Sequence, residues 1–310
     1  HSPHTAACKL GLAHKGQASL PICKRANSTA QSAHKYNCLA KSWHNTQRCG
    51  ACKLAAPNLS KEYNMSLTSP IVLIHGWAAN HHVYDDFRHY LPDVPTLVPD
   101  LPGHGADVRT QFDAAAFADE LAAQIEAPAN IVAWSLGGQV ALQLAVRHPD
   151  KVASLCLCAT FAKLLQADGY DAGLKASKLL GMIPVFQADY PKTMSQFLQL
   201  QILYTPERKA AVQAILPAVT AYAAPTALQS AQEYASHADM RGALAQIQAP
   251  VLCVYGDKDT ITPARLGEYL REHLPHARLL LIKKAVHAPF ISHPELMAAA
   301  LKEFWSQHEA

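Results

Sequence analysis

The string Ala133-Trp134-Ser135-Leu136-Gly137-Gly138 follows directly on the apolar run Ala129-Asn130-Ile131-Val132. A β-branched run that breaks into small-x-Ser-x-Gly reads as a strand ending in a nucleophile elbow, a sharp turn that lifts the serine hydroxyl clear of a sheet. Large side chains two residues to either side would collide across that turn. Ala133 stands where the usual pattern has Gly, and Gly137 is retained. A serine hydroxyl needs a base to take its proton, and the base needs an acid to orient it. The chain has 17 histidines, so position has to select among them. His287, in Ala285-Val286-His287-Ala288-Pro289, follows the last strand-like run. Asp257 and Asp259, in the loop Tyr255–Pro263 after the preceding run, compete for the acid, and the loser caps a turn. Three such groups at the carboxyl ends of parallel strands would perform acyl transfer, at the edge where such sheets place ligands.

A tetrahedral intermediate also needs donors for its oxyanion. Ile74-His75-Gly76-Trp77 ends the first strong strand-like run; Gly76 permits a tight turn and the Trp77 amide is one candidate donor. The amide of Leu136, next to the nucleophile at a helix start, is the second. His75 is expected to pack or bond beneath the loop.

The elements that must carry these residues alternate. Strands are predicted at 71–75, 96–99, 130–134, 152–158, 251–255 and 278–283, with helices at 114–126, 139–148, 263–273 and 294–308. That alternation is the signature of a parallel sheet covered on both faces. It breaks over 161–246, a stretch rich in Ala, Leu, Gln, Met and Tyr that reads as helices separated by Pro184, Pro191, Pro206 and Pro217. The expectation is an α/β fold, a mostly parallel sheet with helices on both faces (65–160 and 247–310) and a helical cap over 161–246.

Half of the 310 residues are apolar, enough for a sizeable core, and no run approaches the ~18 apolar residues of a membrane span. No secretory signal is visible and a cytoplasmic location is expected, although the chain does not begin with Met. Charge is uneven: residues 1–64 hold nine Lys/Arg and one acid, Glu62, whereas the rest hold 18 bases and 23 acids. Cys8, Cys23, Cys38, Cys49 and Cys52 also lie in that first segment. Their spacing resembles the zinc-ribbon head of a competence protein with its second cysteines lost, since Cys8, Cys23 and Cys38 lack a partner three residues on. A disordered or vestigial extension is the reading preferred to a zinc site or nucleic-acid module, with Met65 as the start of the folded unit. Cys156, Cys158 and Cys253 lie in strand-like runs and read as inert buried thiols; all eight are expected reduced.

The order Ser, Asp, His is that of α/β-hydrolases. Over 68–308 the chain resembles, within that superfamily, the biotin-pathway esterases that demethylate pimeloyl-[acyl-carrier protein] methyl ester. The matching strings are HGW at 75–77, DLPGHG at 100–105, WSLGG at 134–138 and HAPFISHP at 287–294. The resemblance implies Ser135 as nucleophile, His287 as base and Asp259 rather than Asp257 as acid, with Trp77 and Leu136 at the oxyanion. It also implies contact of Phe197, Leu198, Gln199, Leu200 and Gln201 with the acyl chain. No metal or organic cofactor is required. The implied partner is an acyl carrier protein, whose acidity suits a basic patch for which Lys192, Arg208 and Lys209 are candidates. No nucleic acid or membrane is implied, and a monomer is expected. A general carboxylesterase and a C–C bond hydrolase keep the same triad. Dehalogenases and epoxide hydrolases carry Asp at the elbow. A non-catalytic receptor on this fold would tend to lose the Ser or the His.

Overall fold

The computed structural model describes residues 67–178 and 181–308. The expected extension over 1–64, its zinc ligands and the start at Met65 lie outside the described residues.

Six strands form one sheet: β1 (Ile71–Ile74), β2 (Thr96–Leu97), β3 (Ala129–Trp134), β4 (Val152–Cys158), β5 (Val251–Gly256) and β6 (Ala277–Ile282). Their order is β2-β1-β3-β4-β5-β6, and every pair is parallel among the described residues. Strands β1, β3 and β5 are buried along their whole length, which is why their sequences run apolar without alternation. Period two still sorts their side chains. Val72, Ile74, Ile131, Ala133, Leu155 and Cys253 enter one apolar cluster with α1 (Ala114–Gln124), α2 (Gly137–Arg147) and α7 (Ala264–His273). Ile71, Leu73, Val132, Trp134, Cys156, Leu252 and Val254 enter the other, against α8 (Pro289–Ser292) and α9 (Pro294–Trp305). Burial pushes the thiol of Cys253 up to about 12 and those of Cys156 and Cys158 further. These are the inert thiols expected from their strand positions.

From β1 the chain steps out to β2 and then returns across β1 to β3, so the order reverses between β1 and β3. A crevice opens at the carboxyl ends of strands at such a switch point. The loops after β1 and β3 carry Trp77 and Ser135. His287, after β6, lies at the far side of the sheet order and has to come back on a loop.

Between β4 and β5 the chain forms a helical insertion: α3 (Met182–Ala188), α4 (Tyr190–Gln201), α5 (Lys209–Val219) and α6 (Leu228–His237). Its β structure among the described residues is isolated bridges such as Lys163↔Asp239. The prolines expected to break helices mostly begin them. Pro184 is the third residue of α3, Pro191 the second of α4, and Pro206 opens a 3-10 turn. The first helical amides have no partner to lose, so a proline there costs nothing. Pro217 lies inside α5, in its last turn. No helix among the described residues is long and apolar enough to cross a membrane.

Candidate active site

Ser135 sits at φ 54°, in the left-handed region that side chains avoid. Its neighbours hold it there: its N–H donates to the Cys158 carbonyl at 2.9 Å, and its own carbonyl accepts the Thr160 hydroxyl at 2.6 Å. Strain of this kind, about 1–3 kcal/mol, persists only where the surroundings over-determine it. The two glycines that follow are required by close approach. A Cβ on Gly137 would lie 2.4 Å from the His75 carbonyl oxygen, and one on Gly138 would lie 2.0 Å from the Thr160 hydroxyl.

His287 brings Nε2 to 3.0 Å from Ser135 Oγ and Nδ1 to 2.9 Å from Asp259 Oδ2. All three residues are buried. The Asp259 carboxylate is fixed by the amides of Ile261 and Thr262 at 2.8 and 2.9 Å on Oδ1, and by the Thr262 hydroxyl at 2.7 Å on Oδ2. An Asp that folds the next residues back on itself in this way has its second oxygen left to face the imidazole. Asp257 is turned elsewhere: it accepts the Lys284 amide at 2.7 Å and pairs with Lys283 at 3.4 Å. A proton held on Nδ1 by the carboxylate leaves the Nε2 lone pair facing the serine hydroxyl, the arrangement a general base needs.

Trp77 and Leu136 line the cavity in front of Ser135. Among the described residues neither of their amides is taken up by a backbone carbonyl outside a helix. Leu136 also caps α2 with no side-chain bond, so the positive end of that helix is open towards the site. Beneath the loop His75 is wholly buried; its Nδ1–H donates to the Gly76 carbonyl at 2.9 Å and its Nε2 accepts the Leu101 amide at 3.0 Å, as its position led one to expect. His104 packs against it, ring centroids 5.7 Å apart. Burial pushes the His104 pKa down to about 3, so this imidazole is neutral.

The cavity holds about 690 Å³ of space free of protein atoms, the solvent at its open mouth included. The sheet side supplies Trp77, Trp134, Ser135, Leu136, Ile261, Thr262 and His287, and the insertion supplies Phe161, Leu164, Met182, Phe186 and Phe197. The stretch expected to touch an acyl chain is divided by the helical period. Of its five residues only Phe197 lines the cavity; Leu198 packs into the core, and Gln199 and Leu200 face solvent. Gln201 is buried and accepts the Ala288 amide at 3.0 Å. Lys192 and Lys209 are exposed. Arg208, expected with them in a docking patch, is committed to the fold instead: it pairs with Asp86 and donates to the Ile291 carbonyl at 3.1 Å and to Tyr90 Oη at 3.2 Å. Sequence reasoning missed Thr262, whose signal is a hydroxyl three residues after Asp259, and Trp134, whose indole Nε1–H donates to the His287 carbonyl at 2.9 Å.

The model of the alpha/beta hydrolase fold matches residues 69–294. The chain belongs to the α/β-hydrolase family. Among curated relatives, a pimeloyl-[acyl-carrier protein] methyl ester esterase of Neisseria meningitidis serogroup C is 51% identical over 236 residues, covering 76% of this chain and 92% of the relative. A protein of the same name from Chromobacterium violaceum is 35% identical over 235 residues, covering 75% and 92%. Among solved structures, an esterase from Exiguobacterium antarcticum superposes with a TM-score of 0.68 at 23% identity, covering 77% of this chain and 92% of that one. An enol-lactonase from Burkholderia xenovorans does so at 0.64 and 19%, covering 78% and 92%. At those identities the two structures speak for the α/β-hydrolase fold alone.

Proposed function

We propose that this α/β-hydrolase is a serine carboxylesterase that hydrolyses the methyl ester of pimeloyl-[acyl-carrier protein] to pimeloyl-[acyl-carrier protein] and methanol in biotin biosynthesis. One observation carries the reaction class: Ser135, His287 and Asp259 form a continuous hydrogen-bonded chain at the wall of an apolar cavity. The substrate rests on the name of the Neisseria relative, matched over 92% of its length. Residues 65–160 and 247–310 act as the catalytic core in this reading, and 161–246 as a cap over the acyl chain.

His287 Nε2 takes the Ser135 proton as Oγ bonds to the ester carbonyl carbon. Negative charge developing on the carbonyl oxygen faces the amides of Trp77 and Leu136; losing one such donor costs ~3 kcal/mol of barrier. The carbon–methoxy bond then breaks, and the leaving oxygen takes the proton from Nε2 to depart as methanol. Water, deprotonated by the same nitrogen, attacks the acyl-serine, and collapse returns the proton to Ser135 Oγ and frees the acid. Asp259 orients the imidazole and balances its charge throughout. The carrier protein docks beside exposed Lys192 and Lys209. In this reading the reaction runs in the cytoplasm, a reducing compartment with which the free thiols Cys156, Cys158 and Cys253 are compatible.

The test is rescue of a biotin auxotroph that lacks its pimeloyl ester demethylase, with Ser135→Ala as control. Growth with the wild-type chain and none with the variant is expected. Equal growth with both, or none with either while the folded chain accumulates, overturns the proposal.

A further inference from the structure

The peptide group joining His287 to Ala288 is held at both of its polar ends. Its carbonyl accepts the Trp134 indole N–H at 2.9 Å, from β3. Its N–H donates to Gln201 Oε1 at 3.0 Å, from the last residue of α4. Gln201 is 1% exposed, and its Nε2 donates to the Phe197 carbonyl one turn back, so the amide has no freedom to flip. The peptide is planar and includes the His287 Cα, so fixing both ends fixes the base on which the imidazole stands. Ala288 is fully buried, and without Gln201 its N–H would have no partner among the described contacts. The same helix reaches the site by a second route: the Phe197 ring lies 6.4 Å from the His287 ring and 6.2 Å from that of Trp134.

We infer that Gln201 is a positioning residue, which lets the acyl-lining helix of the insertion aim the His287 imidazole through the 287–288 peptide. The inference rests on the reading of His287 as general base. Gln201 itself lies off the cavity, so it acts on the reaction only through the peptide. A helix displaced from the sheet would carry away both an acyl contact and the support of the base, so turnover is tied to the insertion being seated.

The test compares Gln201→Met, which keeps the length and removes the acceptor, with Gln201→Glu, which keeps an oxygen for the Ala288 N–H in either protonation state. Each is assayed on a short methyl ester, and the His287 Nδ1–H proton is followed by NMR. For Gln201→Met, kcat falls ten- to hundredfold, the size of effect that a misplacement of about 1 Å produces. KM stays within about twofold, because no substrate contact is lost. The Nδ1–H resonance broadens, and Gln201→Glu restores both kcat and resonance. If Gln201→Met does not fold, Gln201→Asn, one methylene too short to reach, takes its place. Wild-type kcat and an unchanged resonance in the Met or Asn variant overturn the inference, as does a kcat loss that Glu does not restore. Failure of the hydrolase reading shows separately, as a wild-type chain that cleaves no ester while its Nδ1–H resonance still responds to Gln201.

Discussion

The sheet side and the insertion side of the cavity hold their residues by different means. On the sheet side backbone hydrogen bonds decide position. Ser135 is pinned in a left-handed turn, the Asp259 carboxylate is fixed by two amides and a hydroxyl, and the His287 carbonyl is held by the Trp134 indole. On the insertion side the wall is made of Phe161, Met182, Phe186 and Phe197, placed by packing. One of its polar ties reaches the peptide behind His287, from Gln201 to the Ala288 amide; the others are the Trp77 indole to the Leu228 carbonyl, Asn80 to Val219, the Tyr190 hydroxyl to Ala78, and Arg208 to Asp86. Proton transfer tolerates little misplacement, whereas an acyl cavity needs volume, which cores keep through many side-chain exchanges. One wall is built for geometry and the other, Gln201 apart, for shape.

That contrast is broken most easily at the acid. Asp259→Asn is expected to lower kcat about 10⁴-fold with the fold intact, since the amide leaves the imidazole in the wrong tautomer. Asp257→Asn, two residues away, is expected to change kcat by no more than a few-fold; steady-state assays of the pair decide which carboxylate faces the base. On the other wall, Phe197→Ala removes a ring whose burial is worth about 1.5–3 kcal/mol, so KM for a long acyl ester rises about ten- to hundredfold. Its kcat on methyl acetate should stay near wild type, and a collapse of both would mean that the ring serves geometry and not shape.

Stability effects are smaller. Arg208→Ala removes charge-assisted and neutral bonds between insertion and core, about 1–3 kcal/mol, seen as a Tm lower by several degrees. His104 makes stability depend on pH. Its pKa is about 3 in the folded chain and ordinary, near 6.5, in the unfolded one, so the unfolded chain binds more protons between those values. Its contribution is complete above about pH 6.5 and declines as pH falls towards 3, by at most ~1.4 kcal/mol per unit. Urea midpoints across that window should drop with acid in the wild type and less steeply in His104→Asn.

The two walls were also unequally legible in the sequence. Ser135 and His287 announce themselves because small-x-Ser-x-Gly after a β-branched run has one good structural reading, and because strand ends are where such sheets place chemistry. Asp257 and Asp259 are the same residue type; the family resemblance favours Asp259, and the physical ground for it is the turn that returns the 261 and 262 amides to one carboxylate. In the insertion no such punctuation exists. Pro184, Pro191 and Pro206 read equally as breakers and starters, and they start. The five residues 197–201 resemble an acyl-contacting stretch as a string. On a helix of 3.6 residues per turn they point in different directions, and one of them reaches the cavity. Arg208 carries a charge that sequence assigns to a partner and that tertiary packing gives to Asp86.

The most direct test of catalysis by Ser135, His287 and Asp259 is mass analysis of the purified chain quenched during turnover of pimeloyl-[acyl-carrier protein] methyl ester. Expected are free methanol and an acyl adduct confined to the peptide that carries Ser135, with neither appearing in His287→Ala. Continued demethylation by Ser135→Ala, or an adduct on another residue, would contradict it.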